Sequence, residues 1–75
     1  DKLYRPSKAT AVSLALALHL SIYDAEDLLA RAGYAFSPAE KADVIVQYCF
    51  ENKIYDIIEV NEILNSYGEK PFGPA

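Results

Sequence analysis

The 75-residue sequence predicts an all-α fold, a compact four-helix domain of orthogonal or irregular bundle type. Three observations carry that expectation. Ser7–Leu20 (SKATAVSLALALHL) holds no charged residue from Ala9 to Leu20 and is apolar nearly all round, the pattern of a helix enclosed by its neighbours. Apolar residues then recur at three- and four-residue spacing in three further segments. Each segment is preceded by a serine or aspartate able to cap it.

The elements follow in order. Pro6 biases Arg5 away from helical geometry, so residues 1–6 read as a loop. Ser7 caps a central helix expected over 8–19, with Leu16 and Leu18 both buried. Ser21 with Asp24 forms a capping box for a second helix over 22–32. Its inner face is Ile22, Ala25, Leu28, Leu29 and Ala32, its outer side carries Asp24, Asp27 and Arg31, and Gly33 ends it. Ser37-Pro38-Ala39-Glu40 offers a cap, a first-turn proline and a box-closing glutamate for a third helix over 38–52. Ala42, Ile45, Val46 and Cys49 mark its buried face, widened by Val44, Tyr48 and Phe50; Glu40, Asp43, Gln47 and Glu51 form a polar stripe. Asp56 with Glu59 opens a fourth helix over 57–67 carrying Ile57, Val60, Leu64 and Tyr67 in register, helped by Ile58 and Ile63; Gly68 stops it. Residues 69–75, with two prolines and a glycine, read as an irregular tail.

Composition bounds the function. One domain of this length lies near the lower limit for a self-sufficient core, and a hydrophobic fraction of 52% supplies one. The net charge is −4 and unevenly placed. Residues 1–8 hold Lys2, Arg5 and Lys8 against Asp1, whereas Arg31, Lys41, Lys53 and Lys70 face ten carboxylates in the remainder. An acidic body repels phosphate backbones, which confines nucleic-acid contact to the first eight residues. A single cysteine excludes an internal disulfide and fits a reducing, cytoplasmic setting. The apolar run is too short and interrupted to span a membrane. A basic start followed by AVSLALALHL also has the look of a secretory signal, but the Ser7 cap and the amphipathic helices that follow favour a folded domain. A chain that opens on Asp1 and lacks methionine is expected to be a fragment or processed piece.

Catalytic chemistry finds no constellation. His19 is the only histidine and no motif pairs it; Cys49 lies on an apolar face with no basic neighbour in sequence. Asp24, Glu26 and Asp27 suit a helix N-terminus, and no zinc, calcium or phosphate-loop spacing occurs. No enzyme activity, cofactor or metal is therefore expected. The helix pair over 38–67 is unsuited to reading DNA, because the last helix has Asn61 and Asn65 but no Lys or Arg and exposes Glu59 and Glu62. Six tyrosines and three phenylalanines remain. Tyr34, Phe36, Tyr48 and Tyr55 either seal a thin core or anchor a partner.

The stretch Arg5–Leu29 resembles the last two helices of lambda-repressor-like (XRE-type) helix-turn-helix domains, through Pro6-Ser7, Thr10, Ala15-Leu16-Ala17-Leu18, Ser21 and Leu28-Leu29. The continuation through Ala32-Gly33-Tyr34-Ala35, Ser37, Tyr55-Asp56-Ile57 and Glu59-Val60-Asn61-Glu62 is similar to an extension of some bacterial XRE-like proteins. The resemblance implies the rear part of a DNA-binding transcriptional regulator whose DNA-reading helices precede Asp1. DNA would then be contacted only through that preceding segment, with Lys2, Arg5 and Lys8 placed at phosphates rather than at bases. The same residues also read as a solvated basic loop. Two function classes stand: a non-catalytic assembly module, favoured for these residues alone, and the rear half of a DNA-binding regulator, favoured for the parent protein; the alternative is a stand-alone protein-interaction adaptor with no DNA role. Either way a homodimer or protein partner is expected, through an uncovered strip of Val12, Leu16 and Leu20 bordered by tyrosines.

Overall fold

The computed structural model describes residues 6–72. Among them are four α-helices and no strand: α1 Lys8–Ala17, α2 Ile22–Arg31, α3 Lys41–Glu51 and α4 Ile57–Ser66. The chain packs as two helical hairpins, α1 with α2 and α3 with α4, closed on each other through α1 against α4 and α2 against α3. The core lies between them. Val12, Ala15 and Leu16 enter it from α1, Ala25 and Leu29 from α2, Val46, Cys49 and Phe50 from α3, and Val60 and Leu64 from α4.

Three of the helices start where their caps predict. Ser7 Oγ accepts the Thr10 N–H at 3.1 Å, Ser21 Oγ accepts the Asp24 N–H at 3.1 Å, and Asp56 Oδ1 accepts the Ile58 N–H at 3.1 Å. The third helix begins later than the Ser37-Pro38 signal indicates. Ser37 donates its own N–H to Asp43 Oδ2 at 2.8 Å, and its hydroxyl accepts from the Ala39 N–H at 3.2 Å. Those bonds hold Ser37–Ala39 as a turn beside the helix rather than its first turn. Glu40 takes the cap position without a side-chain bond, and α3 starts at Lys41.

All four helices end alike. The N–H two residues past the cap reaches back to a carbonyl five residues earlier: Leu20 to Ala15, Tyr34 to Leu29, Ile54 to Cys49 and Glu69 to Leu64, at 2.8–3.1 Å. Each such Schellman closure needs one left-handed residue. Gly33 (φ 86°) and Gly68 (φ 77°) fill two of these positions, but His19 (φ 53°) and Lys53 (φ 58°) fill the others. Because His19 is the reversing residue, α1 ends at Ala17 instead of running through His19. Leu20, Tyr34 and Ile54, one residue beyond the reversal, then pack against the core.

The central helix is not enclosed all round. Val12 and Leu16 are sealed in the core, so the expected bare strip of Val12, Leu16 and Leu20 is covered by the chain's own helices, with Leu20 half-buried. Leu18, expected to be buried, is 58% exposed, and Leu14 is 49% exposed. The cause is the hairpin pairing, which gives α1 neighbours on one side only. Leu16→Ala is expected to destabilise the domain by about 2–5 kcal/mol, as a cavity in a close-packed core does. Leu18→Ala should cost less than about 0.5 kcal/mol. Urea unfolding of both variants checks this, and equal losses would contradict the one-sided burial of α1.

Candidate interaction surface

Asp43, in the first turn of α3, sits where the sequence suggests a polar outer stripe but is 2% exposed. Its Oδ2 accepts from Lys8 Nζ at 2.6 Å and from the Ser37 N–H at 2.8 Å. Lys8 opens α1, where a cation opposes the helix dipole, and the carboxylate offsets that unfavourable placement. The ion pair is largely removed from water, with side-chain exposures of 28% for Lys8 and 3% for Asp43. Lys8, expected at a phosphate, is thus engaged by Asp43 and only partly exposed. Lys2 and Arg5, the other two expected phosphate contacts, lie outside the described residues. Close by, Tyr34 donates its hydroxyl hydrogen to the Pro6 carbonyl at 3.0 Å, so the α2–α3 connector is fastened to the entry of α1 at a second point.

The aromatic residues separate into two groups. Phe36 and Phe50 meet edge-on at 6.3 Å between centroids, Phe50 and Tyr55 at 6.4 Å, and Tyr55 stacks on His19 at 4.4 Å with planes 12° apart. This series links the α2–α3 connector, α3, the α3–α4 turn and the end of α1, and Tyr34, Phe36 and Tyr55 all pack on the core. Those three are therefore sealing residues rather than surface anchors. Tyr48 is 53% exposed and is the one member of the expected set that faces solvent. Val44, expected to widen the buried face of α3, and Tyr67 and Ile58, expected in or beside the apolar register of α4, are also exposed.

Tyr48, Val44 and Tyr67 belong to an apolar groove of about 650 Å³ between α3 and α4, lined also by Lys41, Ile45, Ile54, Ile63 and Ser66. Lys41 is engaged there: its ammonium donates to the Tyr67 carbonyl at 3.3 Å and lies 5.9 Å from the Tyr67 ring centroid. That placement suits the negative end of α4 and ties it to the start of α3. The groove offers apolar contact and aromatic rings, without a free charge to orient a small anion.

A second exposed surface belongs to α1. Ser7, Thr10, Leu14, Ala17 and Leu18 are all exposed and share one side of the helix, and none carries a charge. Elsewhere the exterior is acidic. Its cations are few, and Arg31 is paired with Asp27 at 3.0 Å as the four-residue spacing predicts.

The candidate reactive groups take structural places. His19 is the reversing residue of α1, with its ring stacked on Tyr55. Cys49 is fully buried in α3. Among the described residues no three of His, Cys, Asp and Glu gather into a metal-binding group, and no helix is long and apolar enough to cross a membrane. Sequence reasoning also missed a polar arrangement on α4: the Asn61 side chain bonds both main-chain groups of Phe72. The available signal was an amide residue set among the apolar positions of that helix.

Burial raises the Cys49 thiol above its ordinary value of 9.0, with the nearby Glu59 carboxylate adding to the shift. Its contribution to stability is therefore complete below that ordinary value and is lost as pH rises through the higher folded-state value. Stability should begin to fall near pH 9, and Cys49→Ala should lack that component. Iodoacetamide should label the native protein at least ~100-fold more slowly than the urea-unfolded chain, because reaction must wait for opening. Equal labelling rates in the two states would contradict the buried placement.

Comparison of the chain with protein-family models, with curated proteins and with solved structures finds no match.

Proposed function

We propose that this domain is a non-catalytic protein-interaction module that pairs with a second copy through the outer side of α1. The observation that carries the reading is the uncharged exposed face of Thr10, Leu14, Ala17 and Leu18 on an otherwise acidic protein. Charge argues for the occupant. The described residues hold five cations against ten carboxylates, and Lys8 and Arg31 are already paired. Across most of the remaining surface two copies would oppose like charges, whereas this side of α1 brings no carboxylate into the contact. In an antiparallel two-fold arrangement centred on Leu14, Leu18 of one copy lies against Thr10 of the other, and the small Ala17 side chain admits close approach.

The finer reading is that the module forms the rear part of an XRE-like transcriptional regulator. Its support is the resemblance over Arg5–Leu29. DNA reading in such a protein belongs to a preceding segment. The engagement of Lys8 by Asp43 supports a protein-directed rather than a phosphate-directed role for these residues.

Two exposed leucines per copy make a small contact, so association should be weak, on the order of 100 µM rather than 1 µM. Sedimentation from ~10 µM to ~1 mM should show the mass rising from 8.3 kDa toward twice that value. The Leu14→Glu, Leu18→Lys double variant should remain monomeric with unchanged melting. A monomer throughout the range, or a dimer that survives the double variant, would overturn the proposal.

A further inference from the structure

We propose that Asn61 and the apolar seat of Phe72 form a docking site for an extended peptide segment carrying Pro–Phe, occupied in this chain by its own tail. The Asn61 amide bonds both main-chain groups of one residue. Its Oδ1 accepts the Phe72 N–H at 2.7 Å, and its Nδ2 donates to the Phe72 carbonyl at 3.2 Å. A side chain that satisfies the donor and the acceptor of a single residue holds main chain as a neighbouring strand does, here with the ring packed on the core beside it. Specificity comes from the ring, which packs against the core cluster, and from Pro71, which has no N–H and restricts the approach to extended geometry.

The tail reaches this site by a defined route. Gly68 reverses the chain at the end of α4, Glu69 N–H closes on the Leu64 carbonyl at 2.9 Å, and the segment runs back along the helix to Asn61. Lys70 and Pro71 are exposed on the way, so the hold on the tail is concentrated at Phe72. Helical spacing places Asn61 on the opposite flank of the buried Val60–Leu64 line from Ile63, Ser66 and Tyr67, which line the α3–α4 groove. The exposed Ile58, one turn before Asn61, extends the apolar surface on that flank. The site is thus separate from the groove and does not depend on pairing through α1.

A tethered segment competes at a high effective concentration, so the intact chain should exclude a free peptide. Removing the ring in cis should open the seat. The test uses the full chain carrying Phe72→Ala, in a Leu14→Glu background so that self-association plays no part, titrated with the N-acetylated peptide EKPFGPA. The readout is the pair of Asn61 side-chain amide resonances. The expected result is saturable binding with a dissociation constant of ~100 µM to ~1 mM that returns those resonances to their positions in the unsubstituted chain. Adding Asn61→Ala should weaken binding at least ~10-fold. Absence of binding to the folded Phe72→Ala chain, or equal binding with and without Asn61, would overturn the proposal. If Phe72→Ala does not fold, hydrogen exchange decides in the intact sequence. The Phe72 amide should exchange more slowly than that of Lys70 and lose the difference in Asn61→Ala; equal exchange in both chains would overturn it.

Discussion

One carboxylate adds a polar tie between two hairpins that already share a core. Asp43 binds the ammonium of Lys8 and the main-chain N–H of Ser37 through the same oxygen, and it does so almost out of water. The first turn of α1, the first turn of α3 and the connector between the hairpins therefore meet at a single point. Each group depends on the others. A buried carboxylate without its cation is strongly unfavourable, and so is a buried N–H without an acceptor. Lys8 at the start of α1 likewise requires a nearby anion. The aromatic stack of His19 on Tyr55 ties the far end of α1 to the α3–α4 turn, so α1 is held at both ends by contacts with the second hairpin.

The helix ends explain how four elements of ten or eleven residues pack so closely. Each reverses through a left-handed residue and then, in three of the four, inserts the following hydrophobic side chain into the core. The same closure at the end of α4 sends the tail back along the helix instead of away from it, which is what allows Phe72 to reach Asn61. Local backbone geometry thus decides both the compactness of the core and the course of the last segment.

Most of the helical plan was legible in the sequence because caps and glycines act over three to five residues. Ser7, Ser21 and Asp56 mark helix starts, and Gly33 and Gly68 mark stops, by bonds within their own turns. Most of the errors arise where the deciding partner lies outside the helical turn that carries the signal. Asp43 has the spacing of a polar outer stripe, and only Lys8, 35 residues earlier, makes burial tolerable. Ser37-Pro38 has the form of a helix start, but Asp43 takes the Ser37 N–H. The apolar run of α1 correctly locates a core helix yet cannot reveal which leucines face neighbours, so Leu16 and Leu18 looked alike. His19 and Lys53 hide two reversals because neither is the glycine such positions favour. The proposed interaction surfaces were the least legible: the exposure of Leu14 and Leu18 is set by how the hairpins meet, and the Asn61 seat by the course of the tail.

On the proposed reading, this acidic helical domain makes contact through apolar and main-chain groups rather than through the cations near the start of α1. That conclusion turns on Lys8 being part of the fold. A double-mutant cycle on Lys8→Met and Asp43→Asn tests it most directly, because asparagine can still accept the Ser37 N–H while losing the charge that holds Lys8. Urea unfolding should give a coupling energy of ~1–3 kcal/mol between the two positions. A coupling indistinguishable from zero, with Lys8→Met leaving stability unchanged, would contradict the account and return Lys8 to the exposed basic loop.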